Sequence, residues 1–256
     1  MTDAANLELA RVEEVLNSRW PETQIEPSLD RISHLVTLLA DPHLAYPVIH
    51  VTGTNGKTST SRMIESILRE MGLNTGLVTS PHLHSLTERI RLNGDPISAE
   101  RFVEAYDELE PFLAIVDSES MAKGGPAMSY FEVLTCLAFA VFADAPVDVA
   151  IVEVGLGGEW DATNVVQPVV SVITPIGIDH TDYLGDTIQD IAQAKAGIIK
   201  EGVAAVLAHQ TPEAAEVLLA RCVDVNAIVA REGVEFGVIE RQLALGGQVV
   251  TLKGLN

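Results

Sequence analysis

The residues best placed to do chemistry are His50-Val51-Thr52-Gly53-Thr54-Asn55-Gly56-Lys57-Thr58-Ser59-Thr60. They follow a short apolar stretch, Tyr46-Pro47-Val48-Ile49, and precede a segment with Met63, Ile64, Ile67, Leu68 and Met71 at helical spacing. Strand, glycine loop, Lys-Thr and helix, in that order, present backbone N–H groups and a helix N-terminus to an anion. Gly53, Thr54, Asn55, Gly56, Lys57, Thr58 and Ser59 would form the cradle. Lys57 would neutralise phosphate charge, and the Thr58 hydroxyl is available to Mg²⁺. Val51 stands where the strict G-x-x-x-x-G-K-[ST] pattern has glycine, which leaves the shorter T-G-T-x-G-K-T form. A plain turn is the competing explanation. It sits poorly with a lysine at the positive end of a helix dipole, which is unfavourable unless an anion meets it.

Three further apolar runs end in polar groups. Leu77-Val78 leads to Thr79-Ser80-Pro81-His82, Ile151-Val152 to Glu153 and Gly155-Leu156-Gly157-Gly158, and Val172-Ile173 to Thr174-Pro175 and then Asp179-His180. In open α/β sheets ligands bind beyond the carboxyl ends of the strands, so Ser80, Glu153 and His180 are expected to converge on the phosphate loop. A carboxylate at the end of a buried strand is costly unless a cation or donor meets it, which marks Glu153. Ser80 before proline has a turn as its alternative, and His180 a helix cap or a core position. Asp161 and Asn164, in Asp-Ala-Thr-Asn, have an N-cap and turn. Lys195 lies in the small-residue stretch Ala192-Gln193-Ala194-Lys195-Ala196-Gly197, where a solvated lysine is the ordinary alternative.

The elements that must carry these groups alternate. Helices are expected over 5–19, closed by Pro21, and over 29–39. Strands follow near 47–52, 74–79, 148–154, 169–174, 203–207 and 227–230, with helices near 58–71, 98–116, 129–143, 187–199 and 212–222. The runs Val147–Val154 and Val169–Thr174 are almost continuously apolar, as strands of a parallel sheet covered on both faces are. The fold class is therefore α/β, doubly wound and mostly parallel, with a P-loop. Residues 118–128 read as a polar loop, and 234–253 as a β-hairpin about Leu245-Gly246-Gly247-Gln248. No internal repeat or low-complexity tract is evident.

Composition narrows the function. The 256 residues suffice for one large domain or two small ones, and 47% hydrophobic content supports a sizeable core. The formal charge of −20, from 36 acids against 16 bases, argues against a nucleic-acid surface and against an anionic membrane. The two cysteines, Cys136 and Cys222, have no metal or redox spacing and sit in apolar helical contexts, as buried thiols do. With no basic or apolar leader at the N-terminus, a reducing cytoplasm and a monomer are expected.

With these segments in place the chain resembles the dihydrofolate synthase/folylpolyglutamate synthase family, within the Mur-ligase-like ATP-dependent amide ligases. The matching stretches are HVTGTNGKTS, TSPHLHSLTERIRLNG, YFEVLTCLAF, VEVGLGGEWDATN, ITPIGIDHTDYLG and AQAKAGIIK, which span roughly residues 30–200. The resemblance implies ATP bound by Lys57 and the loop, with Asn164 also on the nucleotide. It implies two Mg²⁺ sites among Thr58, Ser80, Glu153, His180 and Lys195, the last of these as a carbamate. It gives catalytic roles to Lys57, His180 and Lys195, and places a pterin or folate against Ser80, Pro81, His82, Arg91, Tyr130, Phe131 and Asp161. The partners implied are dihydropteroate or folate and L-glutamate, joined through an acyl phosphate.

The chain departs from the family at Glu159-Trp160, where the family usually has arginine near position 159. A D-G-A-H-N-P-like segment of the family's second domain does not occur. Residues 1–256 are thus expected to be an ATP-binding domain, incomplete at its C-terminal end, that binds nucleotide but makes no folate product alone. A Mur ligase for a UDP-linked peptidoglycan precursor, and a P-loop binding module without ligase activity, are the alternatives.

Overall fold

The structure, a computed structural model, describes residues 3–21 and 28–255. Six parallel strands form the centre of one sheet: β1 (Val48–Thr52), β2 (Thr75–Val78), β5 (Val149–Glu153), β6 (Val170–Ile173), β7 (Ala204–Leu207) and β8 (Ile228–Arg231). Two short strands, β3 (Ile90–Leu92) and β4 (Asp95–Pro96), extend one edge antiparallel. The order is β4-β3-β2-β5-β1-β6-β7-β8. After β1 the chain builds the half containing β2 and β5, then crosses to β6 on the other side of β1. The carboxyl end of β1 is therefore the switch point at which such sheets take ligands.

Helices cover the sheet on both faces. α3 (Lys57–Glu70) packs Ile64 and Leu68 on Val51, Leu77 and Ile151. On the opposite face α2 (Asp30–Leu38), α4 (Ala99–Ala122) and α5 (Tyr130–Asp144) close the largest core over Val48, Val78, Ala150 and Val152, joined by Val12 and Leu16 of α1 (Asp3–Asn17). Beyond the short α6 (Thr181–Leu184), α7 (Ile188–Ala196) and α8 (Pro212–Asp224) bury Ile173, Ala205 and Leu207. The continuous apolar runs are explained by this two-sided cover: all five residues of β5 are buried.

Helix starts follow local chemistry. Ser129 with Glu132, and Thr187 with Asp190, form capping boxes for α5 and α7, and Ser98 caps α4. α3 is the exception. Its N-cap is Gly56, in the left-handed region at φ 84, with no side-chain cap bond, so the first-turn N–H groups are left for another partner.

Two features differ from the sequence expectation. Residues 118–122 continue α4 instead of opening a loop, which is confined to 123–128. Tertiary anchors hold that extension: Asp117 accepts from Arg19 and from Met128 N–H, and Ser120 donates to the Pro126 carbonyl. The β3–β4 hairpin was not anticipated, although its Asn93-Gly94 turn, both at positive φ, is the strongest short hairpin signal. The C-terminal hairpin is present as β9 (Gly237–Ala244) and β10 (Gly247–Lys253). Among the described residues no helix is long and apolar enough to cross a membrane.

Candidate active site

The phosphate loop is pinned to the end of β6. Thr54 and Asn55 N–H donate to the Pro175 carbonyl at 3.1 and 3.2 Å, and Thr54 Oγ1 donates to the Gly177 carbonyl at 3.1 Å. Gly53 has φ 143, and a Cβ there would lie 1.9 Å from Thr174 Oγ1, so glycine is required twice over. Lys57 Nζ folds back on the Gly53 carbonyl at 3.1 Å. Lys195 Nζ, arriving from α7, donates to the same oxygen at 3.0 Å. Lys195 is 4% exposed. Burial first, and then the charge of Lys57, lower its ammonium to about 8.

Glu153 closes β5 on the α3 face. Its Oε1 accepts from Thr58 Oγ1 at 2.7 Å, while Oε2 is enclosed without a close hydrogen-bond partner among the described residues. At 1% exposure, burial pushes its carboxyl up to about 7, against the opposing pull of the Thr58 hydrogen bond and Lys57. Thr58, Glu153, Lys57 and Lys195 thus gather about the loop. His180 lines the same recess with Lys57 and Lys195. It is exposed, at φ 50, with Nε2 3.6 Å from Asp179 Oδ2. Among the described residues no three His, Cys, Asp or Glu side chains are grouped to hold a metal ion.

A cleft of about 860 Å³ opens from this recess, the two sharing Lys57, Gly155–Gly157, His180 and Leu184. Ser80, Pro81, Phe131 and Asp161 line the cleft. Asp161 caps the turn Ala162–Val165: Oδ1 accepts from Thr163 N–H and Oγ1–H at 2.9 and 2.5 Å, and Oδ2 from Leu156 N–H at 2.9 Å. Burial raises its carboxyl, and those donors oppose the rise. Because Thr163 gives its proton to Asp161, the 2.8 Å contact to fully buried His50 makes His50 Nε2 the donor. Burial holds that imidazole neutral, down at about 3.

Four other residues singled out from the sequence lie elsewhere. Asn164 Nδ2 donates to the Glu159 and Gly197 carbonyls at 2.9 and 3.3 Å, which braces the loop after β5 against the end of α7. His82 Nδ1 accepts from Arg89 Nε at 2.9 Å, and that guanidinium lies 5.2 Å over the Tyr130 ring. Arg91 bonds the Gly94 carbonyl in the β3–β4 turn. None of the four lines the cleft.

Sequence reasoning missed Trp20, Arg31, Glu132 and Tyr183, all on the cleft wall. Arg31 Nε meets Glu132 Oε1 at 3.2 Å with both side chains buried, and its guanidinium lies 5.2 Å from the Trp20 ring centre. The signals were there: Arg31 shares a helix face with Leu35, and Glu132 interrupts an apolar helix.

Comparison with known proteins agrees with this geometry. The model of the Mur ligase middle domain matches residues 51–230. A dihydrofolate synthase/folylpolyglutamate synthase of Mycobacterium tuberculosis is 56% identical, over 97% of this chain and 53% of its own length. The structure of Mycobacterium tuberculosis folylpolyglutamate synthase complexed with ADP superposes with a TM-score of 0.92 at 53% identity, covering 98% of this chain and 56% of that one. A structure described as an FPGS–AMPPCP–folate complex superposes at 0.87 with 35% identity, over 95% of this chain and 58% of that one. The chain spans about half the length of the curated relatives it matches. It belongs to the Mur ligase middle-domain family, and relatives it matches are dihydrofolate synthase/folylpolyglutamate synthases.

Proposed function

We propose that these residues form the ATP site and acceptor cleft of an ATP-dependent carboxylate–amine ligase that adds L-glutamate to dihydropteroate and to folate glutamyl chains. The observation that carries the proposal is the continuity of the aromatic cleft with an uncapped helix N-terminus through Lys57. The acceptor's flat ring would lie on Phe131, with Ser80 and Asp161 as polar contacts, and its carboxylate would reach the phosphate loop. There a carboxylate oxygen attacks the γ-phosphorus, the bond to the β–γ bridging oxygen breaks, and ADP leaves. The unprotonated glutamate amine then attacks the acyl carbon, forms the amide and expels phosphate, which carries away the proton lost by nitrogen. Lys57 and the first-turn N–H groups of α3 meet the charge that develops on the phosphoryl oxygens.

The orphaned Glu153 Oε2 beside the Thr58 hydroxyl is an oxygen pair of the kind Mg²⁺ takes. The remaining positions would go to phosphate oxygens and water. Bound there, Mg²⁺ would neutralise the β- and γ-phosphate oxygens. Lys195 is buried and partly neutral near pH 8, which supports carbamylation: its amine attacks CO₂ and loses a proton. We also propose a monomer, in keeping with the charge of −20, in a reducing cytoplasm, in keeping with two free, buried thiols.

Calorimetric titration tests the reading. AMPPCP should bind more tightly with Mg²⁺ than without, and pteroate should bind where a UDP-linked muramoyl peptide does not. Preference for the UDP-peptide, or no nucleotide binding, would overturn it.

A further inference from the structure

The cleft leading to Lys57 is aromatic on its walls and acidic at its rim. Trp20, Phe131 and Trp160 line it, and Trp160 is 50% exposed. Of its carboxylates, Glu132 is matched by Arg31 at 3.2 Å, and Asp161 is held by three protein donors. Glu159, Asp182 and Asp190 also line it, all exposed. Among the described residues none of these three makes an ion pair; Asp190 is tied to Thr187 in the α7 cap, and Glu159 is felt only at a distance by Lys200. Among the described residues the lysines and arginines lining the cleft are Arg31, which pairs with Glu132, and Lys57 at the inner end.

That arrangement seats one carboxylate and repels more. Whatever the acceptor's length, its reacting carboxylate must reach the loop at Lys57. What changes is the material lying in the cleft behind it. With a short acceptor that material is a flat ring against aromatic walls. With a polyglutamylated acceptor it is a row of γ-linked residues, each adding a carboxylate opposite Glu159, Asp182 and Asp190.

We infer that the acidic rim makes this cleft a length filter, favouring acceptors with one carboxylate and weakening each longer γ-glutamyl product as the next substrate. The inference rests on the ligase reading above and deepens it. Like charges about 10 Å apart in a wet cleft interact by a few tenths of a kcal/mol per pair. Several such pairs acting together give about a tenfold preference at low ionic strength.

Both tryptophans of the chain, Trp20 and Trp160, line the cleft, so intrinsic fluorescence reports its occupancy. Pteroate and pteroyl-tri-γ-glutamate should be titrated at about 0.1 M and about 1 M salt, where the screening length falls from about 10 Å to about 3 Å. Pteroate should bind about tenfold more tightly than the triglutamate at the lower salt, and the ratio should shrink toward unity at the higher. The Glu159→Gln/Asp182→Asn double variant should lower the ratio at low salt. Equal or tighter binding of the triglutamate, or a ratio that ignores both salt and the double variant, would overturn the inference while leaving the ligase reading in place. Binding of neither compound would sink both.

Discussion

Glu153→Gln should stabilise the empty protein above neutral pH and cripple the proposed metal–nucleotide site. The carboxyl is buried, with one oxygen on Thr58 Oγ1 and the other without a close partner among the described residues. The folded chain therefore holds its proton to about pH 7, whereas an ordinary glutamate releases it near 4.5. Below 4.5 both states are protonated and the group costs nothing. Between 4.5 and 7 the unfolded state ionises first, so stability falls as pH rises; above 7 the cost is constant. At about 1.36 kcal/mol per pH unit, the cost of ionised Glu153 reaches about 3 kcal/mol. Glutamine keeps the shape, leaves one polar group unpaired as before, and removes the titration. The Tm difference between variant and wild type should be small at pH 4.5 and grow to about 6–12 °C at pH 8, taking about 2–4 °C per kcal/mol for a chain of this size. Scanning fluorimetry from pH 4.5 to 8.5, without metal or nucleotide, reads it directly, because other titrating groups cancel in the difference. In calorimetry the same variant should lose at least tenfold, about 1.4 kcal/mol, in Mg²⁺-dependent AMPPCP affinity. A Tm difference that stays flat across the range would refute the buried, raised carboxyl. Unchanged Mg²⁺-dependent affinity would refute its place at the metal.

Gly53→Ala should abolish nucleotide binding and lower Tm, because its Cβ would fall 1.9 Å from Thr174 Oγ1 at a φ of 143; wild-type AMPPCP affinity would contradict this. Lys195 should yield a carbamate carbon signal in NMR with ¹³C-bicarbonate at pH 8 and lose it as pH falls, since the neutral amine dwindles below a pH of about 8. The same signal persisting in Lys195→Arg would assign it elsewhere. Arg31→Ala should cost about 3 kcal/mol in urea unfolding by stranding buried Glu132. Arg31→Met with Glu132→Leu should recover most of that loss, and a double variant no better than the single would show that the pair is not the source.

What could be read from the sequence is what leaves a mark in composition. A parallel strand buried on both faces has to be apolar throughout, so β1, β5 and β6 stood out, and a single Glu153 among such residues was conspicuous. Gly53 and Gly56 mark backbone positions that side chains rarely tolerate. What escaped was pairing across distance. Arg31 and Glu132 are 101 residues apart in the chain, and neither alone announces a cleft wall. Local pattern also misjudged the end of α4, whose polar last turns are held by Arg19 and Met128 from other parts of the chain. The Asp161 and Asn164 segment resisted reading because cap and site use the same chemistry: Asp161 both closes a turn and faces the cleft, whereas Asn164 spends its amide on two backbone carbonyls.

The site's chemistry follows from dryness applied to opposite charges. Glu153 is pushed up to about 7 and Lys195 down to about 8, both chiefly by burial. Near pH 7 Glu153 sits at its midpoint and Lys195, with its midpoint about one unit higher, is still mostly protonated, so both change charge within a narrow pH range. In the proposed ATP site a triphosphate arriving with a cation would shift that balance. The cation would favour ionised Glu153, and the polyanion would favour protonated Lys195 unless CO₂ had already captured the amine. Groups poised in this way change protonation at little cost, and the energy needed to bury them is returned when the ligand supplies the opposite charge. A surface carboxylate and a surface lysine in the same positions would already be ionised and hydrated. They would first have to shed that water, and that desolvation would be lost from binding. On this reading the apolar sequence around both residues would be part of how the loop binds a triphosphate.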